Sequence, residues 1–283
     1  MRDRVAIVAA IVAVIVAASI AAAAPPAKRI VSLVPAVTEM LFAVGAGPQV
    51  VGVSSFDREP PEVARLPRVG ALLDPDLESI LALKPDLVVV YGSQDELKTQ
   101  LERAGAPMFS YRHAGLQGIF ETLRQVGDHT GRVEAANALI DRIRADLASI
   151  RKAVAGQPRP RVLLVFGRDV DALRNVWVSG GVGFIHEVLE IAGGDNVMAD
   201  VTREGLQINV EQILARKPDV ILELRADARA DAEREALQTW RTLSALNAVR
   251  NRRVYFLSGS ELVTPGPRIA RAAERIARVL QPR

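Results

Sequence analysis

Residues 77–88 read LESILALKPDLV and residues 210–221 read VEQILARKPDVI, and this repeat decides the fold. Seven of the twelve positions are identical, and the two stretches lie 133 residues apart. Each has a glutamate in the first turn of a short helix, where the helix dipole favours a negative charge. A proline ends the helix, and the apolar run that follows is typical of a strand buried on both faces. Each stretch therefore predicts a helix followed by a strand of a parallel sheet.

Two weaker echoes accompany this repeat in the same order. Glu39–Leu41 and Gly45 correspond to Glu187–Leu189 and Gly193, and the apolar segment 29–33 corresponds to 161–165. Alternating strands and helices indicate parallel pairing with helical crossovers. The sequence therefore predicts an α/β fold of two homologous lobes with mainly parallel sheets and a ligand cleft between them. The N-terminal lobe is expected at residues 28–130 and the C-terminal lobe at 158–283.

A long helical pattern lies between the two lobes, at residues 131–156. Apolar residues recur there at helical spacing: Ala135, Leu139, Ile143, Leu147 and Ile150. A helix of about 23 residues would span roughly 35 Å. We interpret it as one rigid helix that connects the lobes; the alternative is an ordinary surface helix of one domain.

The N-terminus has the pattern of an export signal. Arg2 and Arg4 precede an uncharged apolar run, and Ala21–Ala23 offers the small residues of a cleavage site. We predict a signal peptide at residues 1–23, cleaved near Ala23, and a periplasmic protein. The alternative is an uncleaved membrane anchor, because the run approaches spanning length. No cysteine follows the run, so a lipid-anchored lipoprotein is not expected.

Composition and missing motifs narrow the function. The chain of 283 residues has no cysteine, a formal net charge of +3 and few aromatic residues. Disulfides, thiolate nucleophiles and cysteine-ligated metals are therefore excluded. Basic runs and base-stacking aromatics are lacking, so nucleic acid is not an expected partner. The G-x-S-x-G, P-loop and H-E-x-x-H motifs are absent, and we predict a protein that is not an enzyme and has no resident cofactor or metal.

Polar, aromatic and cationic side chains follow most of the predicted strands. In open parallel sheets, ligands bind beyond the carboxyl ends of the strands, so these side chains predict a binding cleft between the lobes. The candidate ligand-binding residues are Phe56, Arg58, Tyr91, Arg112, His113, Arg168, Trp177, Arg203 and Glu261. We expect Arg112 and Arg168 to lie in surface loops. The alternatives are that each is a solvated loop residue, or that Tyr91 or His113 ligates a metal.

The chain also resembles a known family. Arg29–Glu39, Val50–Val53, Pro60–Pro61, Leu66–Gly70, Leu77–Val88, Phe166–Gly167, Leu189–Val197, Val210–Leu222 and Pro265–Arg268 are similar to segments of ABC-transporter substrate-binding proteins. The branch is the cobalamin, haem and iron-siderophore class, whose lobes are joined by a helical backbone. The resemblance covers almost all of residues 28–282.

The resemblance implies two docking residues, Glu78 and Glu211, one per lobe, which pair with arginines of the membrane permease. The alternative is that each only stabilises its own helix, by roughly 0.3–1 kcal/mol. The chain has Leu72 and Gly205 where the cobalamin binders place two cleft tryptophans. Four arginines, at positions 58, 112, 168 and 203, would suit an anionic or carboxylate-bearing chelate instead.

The resemblance therefore predicts capture of a metal chelate in the periplasm. A monomer would deliver a corrinoid such as cobalamin, a ferric siderophore or haem to the permease and ATPase of an ABC importer in the inner membrane. Two alternatives are a chelate-modifying hydrolase with a two-lobe cleft and a ligand-sensing receptor subunit.

Overall fold

A computed structural model describes residues 25–226 and 230–281 of the chain, so the predicted signal peptide lies outside the described residues. The helices are α1 Pro35–Ala43, α2 Leu77–Ala82, α3 Asp95–Arg103, α4 Leu116–Thr130, α5 Val133–Ala153, α6 Phe184–Ile191, α7 Val210–Arg216, α8 Ala232–Arg241, α9 Asn247–Arg250 and α10 Ile269–Leu280. The strands are β1 Ile30–Ser32, β2 Val50–Val53, β3 Leu87–Tyr91, β4 Met108–Tyr111, β5 Arg161–Gly167, β6 Val176–Ser179, β7 Asp195–Asn196, β8 Gly205–Ile208, β9 Val220–Arg225 and β10 Val254–Ser258. None of these helices is long and apolar enough to span a bilayer.

The N-terminal lobe is built on a four-stranded, fully parallel sheet in the order β2-β1-β3-β4. Leu87–Val90 of β3 is buried throughout, as the continuous apolar run predicts. The parallel pairing brings the carboxyl ends of all four strands to one edge of the sheet. That edge is where the predicted ligand-binding residues of this lobe follow the strands.

The C-terminal lobe has a mixed sheet in the order β10-β9-β5-β6-β8, with β7 also paired to β5. Strands β10, β9, β5 and β7 are parallel, which confirms the main prediction. The antiparallel strands β6 and β8 were not predicted from the sequence. Trp177, one of the predicted ligand-binding residues, lies on β6.

The connecting helix α5 lies where the sequence places it, and its buried face departs from the predicted stripe only in the first two turns. Ala136, Ile140, Ile143 and Leu147 are buried, whereas the predicted Ala135 is exposed. The helix packs against α4 of the N-terminal lobe and against α6 and α10 of the C-terminal lobe. It is therefore fixed to both lobes rather than to one.

The hydrophobic core has three parts. We call the largest the shared core, because it runs from Ile30 and Leu87 on one sheet to Val162 and Leu222 on the other through helices α1, α4, α5, α6 and α10. Two smaller clusters cover the outer faces of the sheets, one around Trp240 and one around Ile80 and Leu101. The lobes are thus joined by continuous apolar packing as well as by the chain.

Candidate functional site

Three rings gather at the carboxyl ends of β3 and β4. Tyr91 and Tyr111 are the last residues of these neighbouring strands, and His113 follows two residues later. The ring centroid of Tyr91 lies 6.1 Å from the centroid of Tyr111 and 6.1 Å from that of His113. The Tyr111 and His113 centroids are 5.2 Å apart. The Tyr111 hydroxyl lies 3.3 Å from His113 Nδ1. The predicted residues Tyr91 and His113 thus belong to one aromatic cluster.

The surroundings keep this cluster uncharged at neutral pH. Burial, with a smaller contribution from the charge of Asp57, raises the pKa of Tyr91 to about 12. Burial likewise raises the pKa of Tyr111. Desolvation lowers the pKa of His113, against the opposing effect of the Glu204 carboxylate. Neutral rings of this kind offer stacking surfaces and single hydrogen bonds rather than a charged anchor.

A cavity of about 310 Å³ lies beside this cluster and has walls from both lobes. His113 and Ala114 line it from the N-terminal lobe, and the C-terminal lobe contributes Phe166, Trp177, Val182, Gly183, Phe184, Ile185, Glu204 and Gly205. The cavity is therefore apolar and aromatic on one side, with an imidazole and a carboxylate at its polar positions. This is the composition expected of a pocket for a mainly apolar ligand.

Gly205 is needed for the aromatic wall. A methyl group at this position would come 2.9 Å from Cζ of Phe166, closer than normal van der Waals contact. The ring of Phe166 therefore lies directly against the backbone of β8. The sequence analysis did not single out Phe166 or Glu204, although Phe166 ends an apolar run and Glu204 directly follows Arg203.

The remaining predicted ligand residues of the N-terminal lobe lie on exposed loops. Phe56 is 68% exposed, and Arg58 and Arg112 are exposed as well. The Arg58 guanidinium donates to the backbone oxygens of Ser55 and Asp57, so part of its hydrogen-bonding capacity is used within its own loop. In the C-terminal lobe, Arg203 is exposed next to Glu204.

Exposed apolar side chains add to these loops. Leu72 and Leu73 stand in the loop after β2, Val170 follows β5, and Val182 borders the cavity. Of these four, the resemblance places Leu72 at the cleft, but Leu73, Val170 and Val182 were not predicted as site residues. The adjacent leucines inside a turn-rich stretch, ALLDPD, were an available signal.

The structure does not bring Arg168 to the cleft surface. It is 9% exposed, and its Nε donates to Glu223 Oε2 at 2.9 Å. Its Nη1 donates to the backbone oxygens of Asp169 and Val170. The expectation that Arg168 lies in a surface loop is wrong, because a buried carboxylate draws the guanidinium inward. Arg112, by contrast, is exposed as expected.

Glu261 is also directed inward. It is buried, and its Oε1 lies 2.7 Å from the Arg275 guanidinium of helix α10. Further contacts with Arg268 and Arg271, at 3.5 Å each, surround the same carboxylate with positive charge. The geometry gives Glu261 a role in holding the start of α10 rather than a free carboxylate for ligand.

The family assignment agrees with this arrangement. The model of the periplasmic binding protein family matches residues 30–260. This chain is a periplasmic binding protein. It is 35% identical over 198 residues to the vitamin B12-binding protein of Salmonella typhimurium, covering 69% of this chain and 72% of the relative.

Two solved periplasmic binding proteins have the same fold. The vitamin B12-binding protein BtuF of Vibrio cholerae is 26% identical, with a TM-score of 0.76 over 90% of this chain and 97% of that one. A periplasmic heme-binding protein from Pseudomonas aeruginosa is 28% identical, with a TM-score of 0.77 over 90% of this chain and 93% of that one. The α/β architecture with two sheets is thus shared with known chelate-binding relatives.

The two predicted docking glutamates of this periplasmic binding protein occupy matching places. Glu78 and Glu211 are exposed in the first turns of α2 and α7. The preceding residues cap these helices: Asp76 accepts from Ser79 N, and Asn209 forms a reciprocal capping box with Gln212. The capping hydrogen bonds at both helix starts are thus made by other residues than the two glutamates.

Within residues 25–226 and 230–281, no three His, Asp or Glu side chains are grouped so as to hold a metal ion.

Proposed function

We propose that this periplasmic binding protein captures a metal chelate between its lobes and delivers it, unchanged, to an ABC importer. The single observation that carries the proposal is the two-walled cavity, which His113 lines from one lobe and Phe166 and Trp177 line from the other, with Tyr91 and Tyr111 packed against His113. Aromatic faces and exposed aliphatic loops suit a large ligand with much apolar surface. The relatives named for vitamin B12 and heme bind ligands of that kind.

The contacts that the four predicted arginines make in the structure change the expected charge of the chelate. The sequence favours an anionic chelate on the strength of four arginines, but Arg168 is engaged by Glu223 and Arg58 is partly engaged by its own loop. The remaining candidates, Arg112 and Arg203, are exposed and free to meet acidic groups at the edge of a ligand. A macrocycle with a few peripheral carboxylates or amides, such as haem or a corrinoid, fits this lining better than a strongly anionic chelate.

The test is a binding panel of cyanocobalamin, cobinamide, haemin and a ferric hydroxamate. A true ligand at a hundredfold excess over its Kd should raise the free energy of unfolding by about 2.7 kcal/mol. Replacing Trp177 by Ala should weaken binding about tenfold, because an aromatic contact at the cavity wall is lost. The control is Val133→Ala, which truncates an exposed apolar side chain at the start of α5.

Two outcomes would overturn the proposal. Lack of stabilisation by every member of the panel would remove metal chelates as the ligand class. Recovery of a chemically altered chelate would favour the hydrolase alternative, since a carrier makes and breaks no bond.

We further propose that Glu78 and Glu211 dock a monomer onto the two halves of the permease, after export directed by residues 1–23. Matching exposed carboxylates on homologous lobes suit a partner with two equivalent subunits. The double variant Glu78→Lys/Glu211→Lys should abolish uptake in cells and leave ligand Kd unchanged. The matched control is Glu96→Lys/Glu233→Lys, since both residues are exposed glutamates in the first turns of other helices. Unimpaired uptake by the first variant would contradict the docking role.

A further inference from the structure

The first helix of the C-terminal lobe reaches across to the N-terminal lobe through one side chain. Glu187 stands on α6, and its Oε2 accepts a hydrogen bond of 2.9 Å from the backbone N–H of Leu116. Leu116 is the first residue of α4, where N–H groups lack partners within the helix and the dipole favours a negative charge. The contact therefore joins a carboxylate of one lobe to the unsatisfied helix start of the other.

Gly115, which precedes that helix start, leaves the room that this carboxylate occupies. A methyl group at Gly115 would overlap the Glu187 side chain. Its φ of −60° is open to any residue, so the contact with Glu187, and not the backbone conformation, accounts for glycine here. The two lobes are in close contact at this point.

The same device occurs at the matching place in the other lobe. Glu39 on α1 corresponds to Glu187 in the repeat, and it reaches the residue before α10 of the C-terminal lobe. Its two oxygens lie 2.8 and 2.9 Å from the Arg268 guanidinium. Each lobe thus sends a glutamate from its first helix to the start of the last helix of its neighbour.

Only one of these two contacts adjoins the ligand cavity. His113 and Ala114, which line it, come immediately before Gly115, and Phe184 and Ile185 line it from the start of α6. Glu187 thus lies directly behind both walls. The Glu39–Arg268 pair borders a separate surface cavity with Glu59, Glu62 and Pro267.

We propose that Glu187 is a positioning residue of the ligand site, which holds the His113–Gly115 segment of one lobe at a fixed distance from Phe184 and Ile185 of the other. This inference rests on the proposed function for its effect on ligand. Loss of the Glu187 contact should loosen the cleft wall and change the surroundings of the partly desolvated imidazole of His113.

The test uses Glu187→Ala and two readouts. Titration of the imidazole signals by NMR reports on the wall itself, and the chain has only three histidines to assign. The pKa of His113, which desolvation lowers, should rise toward its ordinary value when the wall loosens. The Kd of haemin or cyanocobalamin, whichever the parent protein binds, should weaken about tenfold.

Matched variants separate positioning from general stability. Glu187→Gln keeps an acceptor oxygen and should retain most of the affinity. Gly115→Ala should reproduce the effect of Glu187→Ala in the parent protein and add nothing when Glu187 is already Ala. Glu39→Ala, the counterpart away from the cavity, should lower stability without moving the His113 titration. Glu190→Ala removes an exposed ion pair of α6 with Arg159 and should change neither readout.

The outcomes are distinguishable. If Glu187→Ala and Gly115→Ala leave the His113 titration unchanged, this inference is wrong, whatever the ligand is. If the parent protein binds neither haemin nor cyanocobalamin but the titration shifts as expected, the ligand assignment fails and the positioning role stands. An unchanged Kd together with a shifted titration would show that the wall moves without serving the ligand, which also overturns the inference.

Discussion

The two lobes each bury a carboxylate below the cleft, but they treat its charge in opposite ways. Asp57 in the N-terminal lobe and Glu223 in the C-terminal lobe are the least exposed carboxylates of the described residues, at 0% and 1%. Glu223 accepts from Arg168, Arg225 and the indole N–H of Trp240. Neither oxygen of Asp57 has a hydrogen-bond partner within the described chain. The nearby Thr38 hydroxyl donates to Ser32 instead.

The difference shows two ways in which a fold tolerates a buried acid. Around Glu223, cationic and N–H donors compensate the charge, so the group acts as a fixed structural link. Around Asp57, burial raises the pKa to about 7, so the group gives up its charge as pH falls through neutrality. The first arrangement is sensitive to loss of a partner, and the second is sensitive to pH.

Removing the carboxylate of Glu223, which accepts from three side chains, should have the largest effect on stability. Glu223→Val leaves the buried Nε of Arg168 and the indole of Trp240 without their acceptor. We expect a loss of about 3–5 kcal/mol in the free energy of unfolding, measured with urea. The double variant Arg168→Met/Glu223→Val should recover much of this loss, because the buried cation is removed and Arg225, which also contacts Glu223, is partly exposed to water. Equal destabilisation of the single and double variants would show that packing, and not charge, dominates this site.

Neutralising the unpartnered carboxylate should have a smaller and opposite effect. A raised pKa in the folded state means that stability falls as pH rises from the ordinary aspartate value toward about 7. Asp57→Asn should therefore stabilise the protein by about 2 kcal/mol at pH 8 and by much less near pH 4. Urea unfolding at both pH values measures this, with Asp74→Asn, an exposed acid of the same loop, as control. A pH-independent difference would contradict the assignment.

The helix caps before Glu78 and Glu211 also differ between the lobes in their response to pH, and we expect this effect on stability to be the smallest of the three. Asp76 and Asn209 hold matching positions, one charged and one neutral. Hydrogen bonds from Ser79 lower the pKa of Asp76, so its contribution is present at neutral pH and is lost as pH falls through the lowered value. Amides of α2 should lose hydrogen-exchange protection on acidification, while those of α7 should not.

Two substitutions sharpen this last test. Asn209→Ala should cost about 1 kcal/mol at any pH, because a capping box is removed. Asp76→Asn should abolish the acid sensitivity of α2 and leave its cap intact. Persistent acid sensitivity in that variant would place its origin elsewhere in the N-terminal lobe.

The repeat predicts the elements of both lobes well but not the chemistry inside them. Glu223 falls at the position of Val90 in the repeat, so homology alone predicts a buried aliphatic residue there. Since Arg168 and Trp240 are far from Glu223 in sequence, only the folded structure reveals the pairing. That pairing removes Arg168 from the predicted ligand set.

The aromatic cluster was easier to predict because it depends on strand ends alone. Tyr91 and His113 follow apolar runs whose carboxyl ends must meet in a parallel sheet. Strands β6 and β8 lack such runs, and their antiparallel pairing places Trp177 and Gly205 beside Phe166 by long-range register. Local patterns do not encode that register, so the sequence predicts Trp177 as a ligand-binding residue but not its place beside Phe166.

The shared core has a consequence for the history and the unfolding of this chain. Two repeated halves suggest units that could once have folded separately, yet apolar faces of α1, α4, α6 and α10 are now buried in one continuous cluster. A fragment ending after Thr130 would expose its side of that cluster to water, and so would the complementary piece. We therefore expect neither half to fold alone and the two halves to unfold in a single cooperative step.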